Sequence, residues 1–272
     1  MKIAAIQMAS TPDLHRNLVA AEQLVAQAGA QGAELVLLPE YFCLMGHKDS
    51  DKLGIQEVAG QGPIQDFLAE AACRHKLWLV GGTLPLASKD PNRVHNSSPV
   101  YDPDGRCVAR YDKIHLFRFD NGKEAYDESH TLVAGTQTVA FDLPSVDGHS
   151  YRVGLSVCYD LRFPELYRQL KADVLLVPSA FTFTTGQAHW EVLLRARAIE
   201  NLACVVAAAQ SGRHENGRRT WGHSMIVGPW GEVLAQVEEG PAVVTAELLH
   251  EDLRRAREKL PALDQAVLQS RN

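Results

Sequence analysis

Short apolar runs alternate with longer segments of helical periodicity along most of the chain. Residues 14–31 carry apolar side chains at helical spacing with Gly32 just beyond, and residues 64–75 predict a second helix. Further helices are predicted at 164–171 and 189–201. Strands are predicted at 1–8, 35–38, 77–82, 107–116, 153–157, 174–177, 205–209, 224–227 and 243–247, and a hairpin turn at Asp104-Gly105. This alternation is typical of an α/β fold.

Three of the predicted strands end at residues that can do chemistry. Glu40 follows an apolar run stopped by Pro39, Lys113 stands near the end of a β-like stretch, and Cys158 separates an apolar run from a helix-like segment. An isolated cysteine more often fills a core. In open α/β sheets, however, the ligand crevice lies at the carboxyl ends of strands, so we expect these three side chains to converge on one site.

The three residue types suit hydrolysis of a carbon–nitrogen bond. Glu40 is predicted to act as general base and Cys158 as nucleophile, with loss of ammonia or an amine and hydrolysis of a thioester. Lys113 and the backbone N–H of Tyr159 are predicted to stabilise the oxyanion. The ammonium and the helix-opening amides are expected to lower the pKa of the Cys158 thiol.

The segments around these residues, LLPEYF, YDKIHLF and SVCYDLRFPELYR, resemble in order the three signature motifs of the nitrilase superfamily of carbon–nitrogen hydrolases. Supporting similarity runs from about Lys2 to about Pro261. The resemblance implies a four-layer α-β-β-α sandwich, no metal or organic cofactor, and a catalytic set of Glu40, Lys113 and Cys158. It also implies a second glutamate that holds the lysine. Glu128 is assigned this role, and Glu124 is the alternative, although a solvated loop charge explains Glu124 better.

Composition limits the class of protein. The chain has 272 residues, a net charge of −6 and a pI near 6.0, which give no reason to expect nucleic acid or an anionic membrane as a partner. One domain over residues 1–272 is predicted, with 262–272 as a short C-terminal tail. Five cysteines without a CxxC pair, no HExxH motif and no long apolar stretch predict a soluble, cytoplasmic protein without a metal site.

Substrate recognition is predicted around residues 178–191, which combine aromatic and hydroxyl side chains with the start of a helix. They are predicted to form a pocket wall opposite Cys158, or a helix entry capped near Thr184 or Thr185 with Trp190 packed inward. Arg162 is placed to meet a substrate carboxylate, or to pair with an acid such as Asp160.

Within the superfamily, residues 184–201 are similar to both the deaminated glutathione amidases and the ω-amidases, and residues 205–233 are more similar to the former. This resemblance implies that Arg162, Phe181 and Thr185 bind the oxo-acid end of the substrate. Tyr159 is also predicted to bind substrate, through the backbone N–H that follows Cys158. The favoured substrate is therefore deaminated glutathione, and the alternative is an ω-amide such as 2-oxoglutaramate, or another amide or carbamoyl compound.

Other interpretations stay open. A Cys-His hydrolase would use His115 or His189 as base, with Glu40 as an orienting group. A catalytically idle interaction module on the same fold is the alternative from a different class. A homodimer is expected, with the helices after Cys158 and after His189 facing the partner.

Overall fold

The computed structural model describes residues 1–265 and Val267. The helices in this part of the chain are α1 (Leu14–Ala30), α2 (Pro63–His75), α3 (Pro164–Leu170), α4 (Phe183–Asn201) and α5 (His250–Lys259). The strands that precede Cys158 are β1 (Lys2–Gln7), β2 (Leu35–Leu37), β3 (Trp78–Val80), β4 (Leu84–Ala87), β5 (Val94–Tyr101), β6 (Cys107–Asp112), β7 (Arg118–Asp120), β8 (Ala125–Asp127), β9 (Ala140–Pro144) and β10 (Ser150–Leu155). They are followed by β11 (Val174–Leu176), β12 (Cys204–Ala207), β13 (Ser211–Arg213), β14 (Arg219–Trp221), β15 (Ser224–Val227), β16 (Val233–Val237) and β17 (Ala242–Glu247). Short 3₁₀ turns lie at Asp49–Ile55, Glu128–His130 and Cys158–Arg162.

Local sequence explains where the helices begin. The Asp13 side chain caps α1 by accepting a hydrogen bond from the Arg16 N–H, and proline occupies the first position of α2 and of α3. Aspartate at the cap satisfies an N–H that has no partner within the helix, and proline in the first turn loses no helical hydrogen bond.

Two large sheets form the centre of the molecule. The first has the order β17-β1-β2-β3-β5-β4, with β6 also paired to β5, and the second has the order β16-β15-β12-β11-β10-β9. The hairpins β7–β8 and β13–β14 stand outside both. Strands β1, β2 and β3 are mutually parallel in the first sheet, as are β10, β11 and β12 in the second.

The apolar faces stack into four layers. One core joins the outer face of the first sheet to α1 and α2, where Ile6, Val36, Val25 and Leu68 are fully buried. The other core contains the facing sides of both sheets and the inner faces of α3 and α4. Helices, sheet, sheet and helices thus form the α-β-β-α sandwich expected of the nitrilase type, and that prediction is confirmed.

The carboxyl ends of the central strands meet at one edge of the sandwich. Strand β6 is antiparallel to β5, which is antiparallel to β3, so β6 runs in the same direction as β2. Isolated bridges pair Met8, just beyond β1, with Gln210, and Ser179 with Ala209. The first bridge joins strand ends of the two sheets, and the second extends the pairing of β11 with β12. The residues that follow β2, β6, β10 and β11 lie around one cavity.

The structure corrects several predicted elements. Helix α4 begins at Phe183 rather than at residue 189, and its cap is Thr182, whose hydroxyl accepts a hydrogen bond from the Thr185 N–H, rather than Thr184 or Thr185. Trp190 is packed inward as expected. Strands β4, β9 and β16, the hairpins β7–β8 and β13–β14, and helix α5 were not predicted. The strands are short, and α5 is rich in charge, with only Leu253 and Ala256 buried.

The end of the chain is described in part. Residues 262–265 form a turn after α5, whereas Ala266 and residues 268–272 of the predicted tail at 262–272 lie outside the described residues. Within the described residues, no helix combines the length and the apolar character that crossing a bilayer requires.

Candidate active site

Glu40 is held rigidly at the end of the β2 segment. Its side chain is 1% exposed; Oε1 accepts hydrogen bonds from Lys113 Nζ at 2.9 Å and Asn96 Nδ2 at 3.0 Å, and Oε2 accepts one from the Ala180 N–H at 2.9 Å. The chain then turns sharply, because Tyr41 has a φ of 57°. A non-glycine residue in this left-handed region stores strain of about 1–3 kcal/mol, a feature that clusters at functional sites.

A glycine makes room for this turn. A Cβ on Gly82, which has a φ of 48°, would stand 2.0 Å from the carbonyl oxygen of Pro39. The close approach explains the glycine at position 82, since any side chain there would push the Glu40 segment out of place.

Lys113 lies directly after β6 and is 1% exposed. Its ammonium donates to Glu40 Oε1 at 2.9 Å and to the two oxygens of Glu128 at 3.0 and 2.8 Å. Burial lowers the pKa of Lys113, but the charges of Glu128 and Glu40 outweigh this effect, and the net result is a raised pKa. The lysine therefore stays protonated between two carboxylates.

Glu128 opens the 3₁₀ turn after β8 and is 8% exposed. Besides the Lys113 ammonium, it accepts hydrogen bonds from Tyr41 Oη at 2.9 Å and from the Phe117 N–H at 2.7 Å. Burial raises its pKa, but the charge and hydrogen bonds of Lys113, the Phe117 N–H and the charge of Lys52 lower it by more. Glu128 is therefore ionised and paired with Lys113, whereas the role of holding the lysine during catalysis stays a prediction.

Glu124 lies elsewhere. It is half-buried at the edge of an adjoining cavity and accepts a hydrogen bond from Thr184 Oγ1 at 3.3 Å. It makes no contact with Lys113 in the described part of the chain. The structure therefore places Glu128, and not Glu124, beside the lysine.

Cys158 stands on a sharp turn between β10 and the 3₁₀ turn Cys158–Arg162. Its φ is 50°, and its N–H donates to the Pro178 carbonyl at 2.9 Å. The residue is 7% exposed and borders a cavity together with Glu40 and Glu128. The strained backbone and the bond to the segment after β11 aim the sulfur at the meeting point of the strand ends.

The expectation of a lowered thiol pKa is wrong. Burial raises the pKa of Cys158, the charges of Glu40 and Glu128 raise it further, and Lys113 opposes them only in part, so the value lies well above the ordinary one. The free site therefore holds a neutral thiol. Attack on a substrate then requires a proton acceptor at the sulfur, and Glu40 is positioned for that task.

The turn at Cys158 also exposes a hydrogen-bond donor. Among the described residues, no backbone or side-chain acceptor takes the N–H of Tyr159, whereas the neighbouring N–H groups of Cys158 and Asp160 donate to Pro178 and Val157. An unpaired N–H next to a nucleophile, together with a buried ammonium, is the arrangement that holds a developing oxyanion.

The residues expected to bind substrate border the same cavity. Tyr159, Arg162, Phe181 and Thr185 all line it. The Arg162 guanidinium lies 5.7 Å from the centroid of the Tyr159 ring and 5.5 Å from that of Phe181. Thr185 shares a hydrogen bond of 2.9 Å with Thr182, so the segment after β11 is both the pocket wall and the helix cap.

Arg162 is not paired with Asp160. The Asp160 carboxylate is buried and accepts hydrogen bonds from Tyr111 Oη, from the Val157 N–H, and from the N–H of His115. The polar neighbour of Arg162 is His189, with Nη1 and Nδ1 3.3 Å apart. Within the described residues Arg162 thus has no carboxylate partner, and the alternative of a structural ion pair with Asp160 is wrong.

The histidines proposed as alternative bases do not border the cavity at Cys158. His115 bonds to Asp160 through Nδ1 at 2.7 Å, and its ring stacks on Phe163 at 3.6 Å. His189 contacts Arg162. Within the described residues, no group of three His, Cys, Asp or Glu side chains is arranged to hold a metal ion.

Several contributors to the site were not predicted. Asn96, in β5, donates to Glu40. Tyr41 and Phe117 hold Glu128. Arg218, in the β13–β14 hairpin, borders the Cys158 cavity and an outer one. Asn96 and Arg218 lie outside the three motifs. Tyr41 and Phe117 lie inside them, so their position in the motifs is a signal that could identify them as site residues.

Two cavities that share Arg218 as a lining residue lie beside the cluster. The cavity at Cys158 measures about 10 Å³, which is close to the smallest space that holds one water molecule. An outer cavity of about 450 Å³ shares Arg218 with it and is lined by Tyr41, Lys52 and Tyr126. A small acyl group can therefore be enclosed at Cys158 only with some side-chain movement, while a larger leaving group has space outside.

Comparison with known proteins gives consistent matches over nearly the whole chain. The model of the family described as Carbon-nitrogen hydrolase matches residues 2–258. A Synechocystis sp. protein named deaminated glutathione amidase is 42% identical over 270 residues, covering 97% of each chain. The omega-amidase of Homo sapiens is 36% identical, covering 97% of this chain and 94% of the human protein. A Saccharomyces cerevisiae member of branch 10 of the nitrilase superfamily superposes with a TM-score of 0.85 at 30% identity, covering 96% of this chain and 94% of the yeast one.

Proposed function

The chain belongs to the carbon–nitrogen hydrolase family and is an enzyme that acts on amides. On that premise we propose that Cys158 is its nucleophile, with Glu40 as general base and acid, Lys113 as oxyanion stabiliser and Glu128 as the group that positions Lys113. The observation that carries the proposal is the buried cluster in which Lys113 bridges Glu40 and Glu128 at 2.8–3.0 Å beside the thiol.

The first half of the reaction forms a thioester. Glu40 accepts the thiol proton while Sγ bonds to the amide carbon, and the carbonyl oxygen becomes an oxyanion beside the Tyr159 N–H and the Lys113 ammonium. Glu40 then gives the proton to the amide nitrogen. The carbon–nitrogen bond breaks, and the amine leaves.

The second half regenerates the thiol. A water molecule gives a proton to Glu40 as its oxygen attacks the thioester carbon, and the same donors hold the oxyanion. The carbon–sulfur bond breaks, the acid leaves, and the proton returns from Glu40 to sulfur. Because the pKa of Cys158 is raised, sulfur takes back its proton readily at the end of each cycle.

The preferred substrate, we propose, carries a carboxylate on its acyl half. Arg162 lacks a carboxylate partner in the described part of the chain and lies in the cavity wall with Phe181, Thr185 and Tyr159. The planar guanidinium fork suits a carboxylate, and the two aromatic rings limit the space to a small chain. The 42% identity to a deaminated glutathione amidase supports deaminated glutathione as the substrate.

An ω-amide such as 2-oxoglutaramate is the second candidate, supported by the 36% identity to an omega-amidase. Both candidates place a similar acyl group on Cys158 and differ in the leaving group. Measuring kcat/KM of the purified protein for the two substrates decides between them. The proposal expects the larger value for deaminated glutathione and no turnover of either by Cys158→Ala. Hydrolysis of nitriles or N-carbamoyl amino acids alone would contradict the substrate assignment.

We further propose a homodimer in the cytoplasm, with α3 and α4 facing the partner. Helix α4 exposes Val192 and Ile199, and Trp230 is also largely exposed. Large apolar side chains on one surface are typical of an interface. Light scattering coupled to size exclusion tests this, because Val192→Glu should convert dimer to monomer, and a wild-type mass of one chain would contradict the proposal.

A further inference from the structure

Arg218 borders the site and makes no salt bridge with any carboxylate among the residues that the structure describes. It borders both the Cys158 cavity and the outer cavity. Its Nη2 donates to the Ala180 carbonyl at 3.2 Å, and its guanidinium lies 5.2 Å from the centroid of the Tyr126 ring. Its Nε is buried and has no hydrogen-bond partner among the described residues. Leaving a charged donor buried and unpaired is costly, which points to a ligand that completes it.

Lys52 adds a second cation of the same kind. It lines the outer cavity with Arg218, donates to Thr131 Oγ1 at 3.3 Å, and lies 5.2 Å from the Tyr41 ring centroid. Within the described residues, the salt bridges to Glu40 and Glu128 come from Lys113 alone. In the same part of the chain, neither Arg218 nor Lys52 has a carboxylate oxygen within salt-bridge distance.

The charges near the outer cavity support the same conclusion. Its rim carries Asp49 and Glu124, and two lysines, Lys48 and Lys123, match them in number. In formal charges, Glu40, Glu128 and Lys113 sum to −1, so Lys52 and Arg218 leave a net charge of +1 on the outer side of the cluster. Arg162 adds a further cation on the side of Tyr159 and Phe181. A substrate amide seated at Cys158 thus has an uncompensated cation toward each of its halves.

We propose that Arg218, with Lys52 beside it, binds a carboxylate on the leaving-amine half of the substrate, so that the preferred substrates are amides with an acidic group on each half. The inference rests on the proposed function, and it narrows the substrate class to an acidic acyl group joined to an amino acid or short peptide with a free C-terminal carboxylate. Ammonia as leaving group would leave both outer cations unused.

The test uses two compounds that differ in a single charge: 2-oxoglutaryl-cysteinylglycine joined through its distal carboxyl, and the same molecule with a C-terminal carboxamide. Calorimetric binding to Cys158→Ala measures recognition without turnover. A hydrogen-bonded charge pair predicts roughly tenfold to hundredfold tighter binding of the carboxylate form. When Arg218→Gln is added to Cys158→Ala, most of this difference in affinity between the two compounds should disappear. When Arg218→Lys is added instead, part of the difference should remain.

Arg213→Gln is the matched control, because Arg213 is exposed on the same β13–β14 hairpin and does not line either cavity. It should leave the ratio of the two affinities unchanged. Equal affinity of Cys158→Ala for the two compounds would overturn the inference, as would an equal loss of both affinities in the Arg218→Gln variant. Failure of the proposed function appears separately, as absence of turnover of the carboxylate compound by the wild-type enzyme.

Discussion

Replacing Glu40 by glutamine separates its role as a base from its role in packing. The carboxylate accepts three hydrogen bonds, two at Oε1 and one at Oε2, so each of its oxygens faces at least one N–H donor. A glutamine has one amide oxygen, so in either orientation its NH₂ group faces at least one buried donor. One unsatisfied buried group costs about 1–3 kcal/mol. At roughly 2–4 °C per kcal/mol for a chain of this size, Glu40→Gln should melt up to about 10 °C below the wild type.

The effect on activity should be much larger. Glutamine cannot accept the thiol proton, and the raised pKa of Cys158 leaves almost no thiolate to react without a base. General base catalysis contributes about 10²–10⁴-fold, and the base acts in both halves of the reaction. We expect kcat/KM for the amide to fall at least about a thousandfold, measured by release of the amine from folded protein.

Glu57→Gln is the control for the packing effect. Glu57 is buried away from the cavity and accepts hydrogen bonds from the Ile64 N–H at 2.6 Å and from Gln65 at 3.1 and 3.0 Å. Its replacement creates the same conflict between donors, so it should lower the melting temperature similarly while kcat/KM stays near the wild-type value. The reasoning is refuted if folded Glu40→Gln keeps more than about a tenth of the wild-type kcat/KM, the result expected if Glu40 only orients another base.

Two further predictions concern the same cluster. Lys113→Met removes the cation between two buried carboxylates and should destabilise the fold by about 3–5 kcal/mol, measured by denaturant unfolding. Adding Glu128→Gln to this variant should restore part of the stability but no activity. An active double variant would refute the role of Lys113. The thiolate of Cys158 can be measured as the difference in ultraviolet absorbance between the wild type and Cys158→Ser. Because the pKa of Cys158 is raised, this difference should be absent at pH 7 and grow only above about pH 9. A thiolate signal at pH 7 would show that the charge of Lys113 outweighs burial and the two carboxylates.

The convergence of the three motif residues was predictable because it depends on strand direction. Apolar runs that end at Glu40, Lys113 and Cys158 mark carboxyl ends of strands, and parallel strands present these ends at one edge. The hairpin β5–β6, with its Asp-Gly turn, supplies the antiparallel step that returns Lys113 to this edge. These features are local in sequence.

Other features depend on distant contacts. Asn96 lies within a strand whose sequence does not indicate that its side chain meets Glu40, and Arg218 comes from a hairpin without apolar periodicity. The pKa of Cys158 was misjudged for a related reason. The sequence shows the amides beside the thiol and a lysine elsewhere, whereas burial and the proximity of two carboxylates appear only in the folded chain. Thr182 was missed as the helix cap because four threonine and serine residues precede or enter α4 within a few positions.

The central claim is that Cys158 carries the acyl half of the substrate during turnover. Intact-protein mass spectrometry of enzyme quenched in acid while hydrolysing deaminated glutathione tests it most directly, with peptide mapping to locate the adduct. The mechanism predicts a mass increase equal to the oxo-acid acyl group, located on Cys158 and absent from Cys158→Ala. An adduct on another residue, or steady turnover by Cys158→Ala, would contradict it.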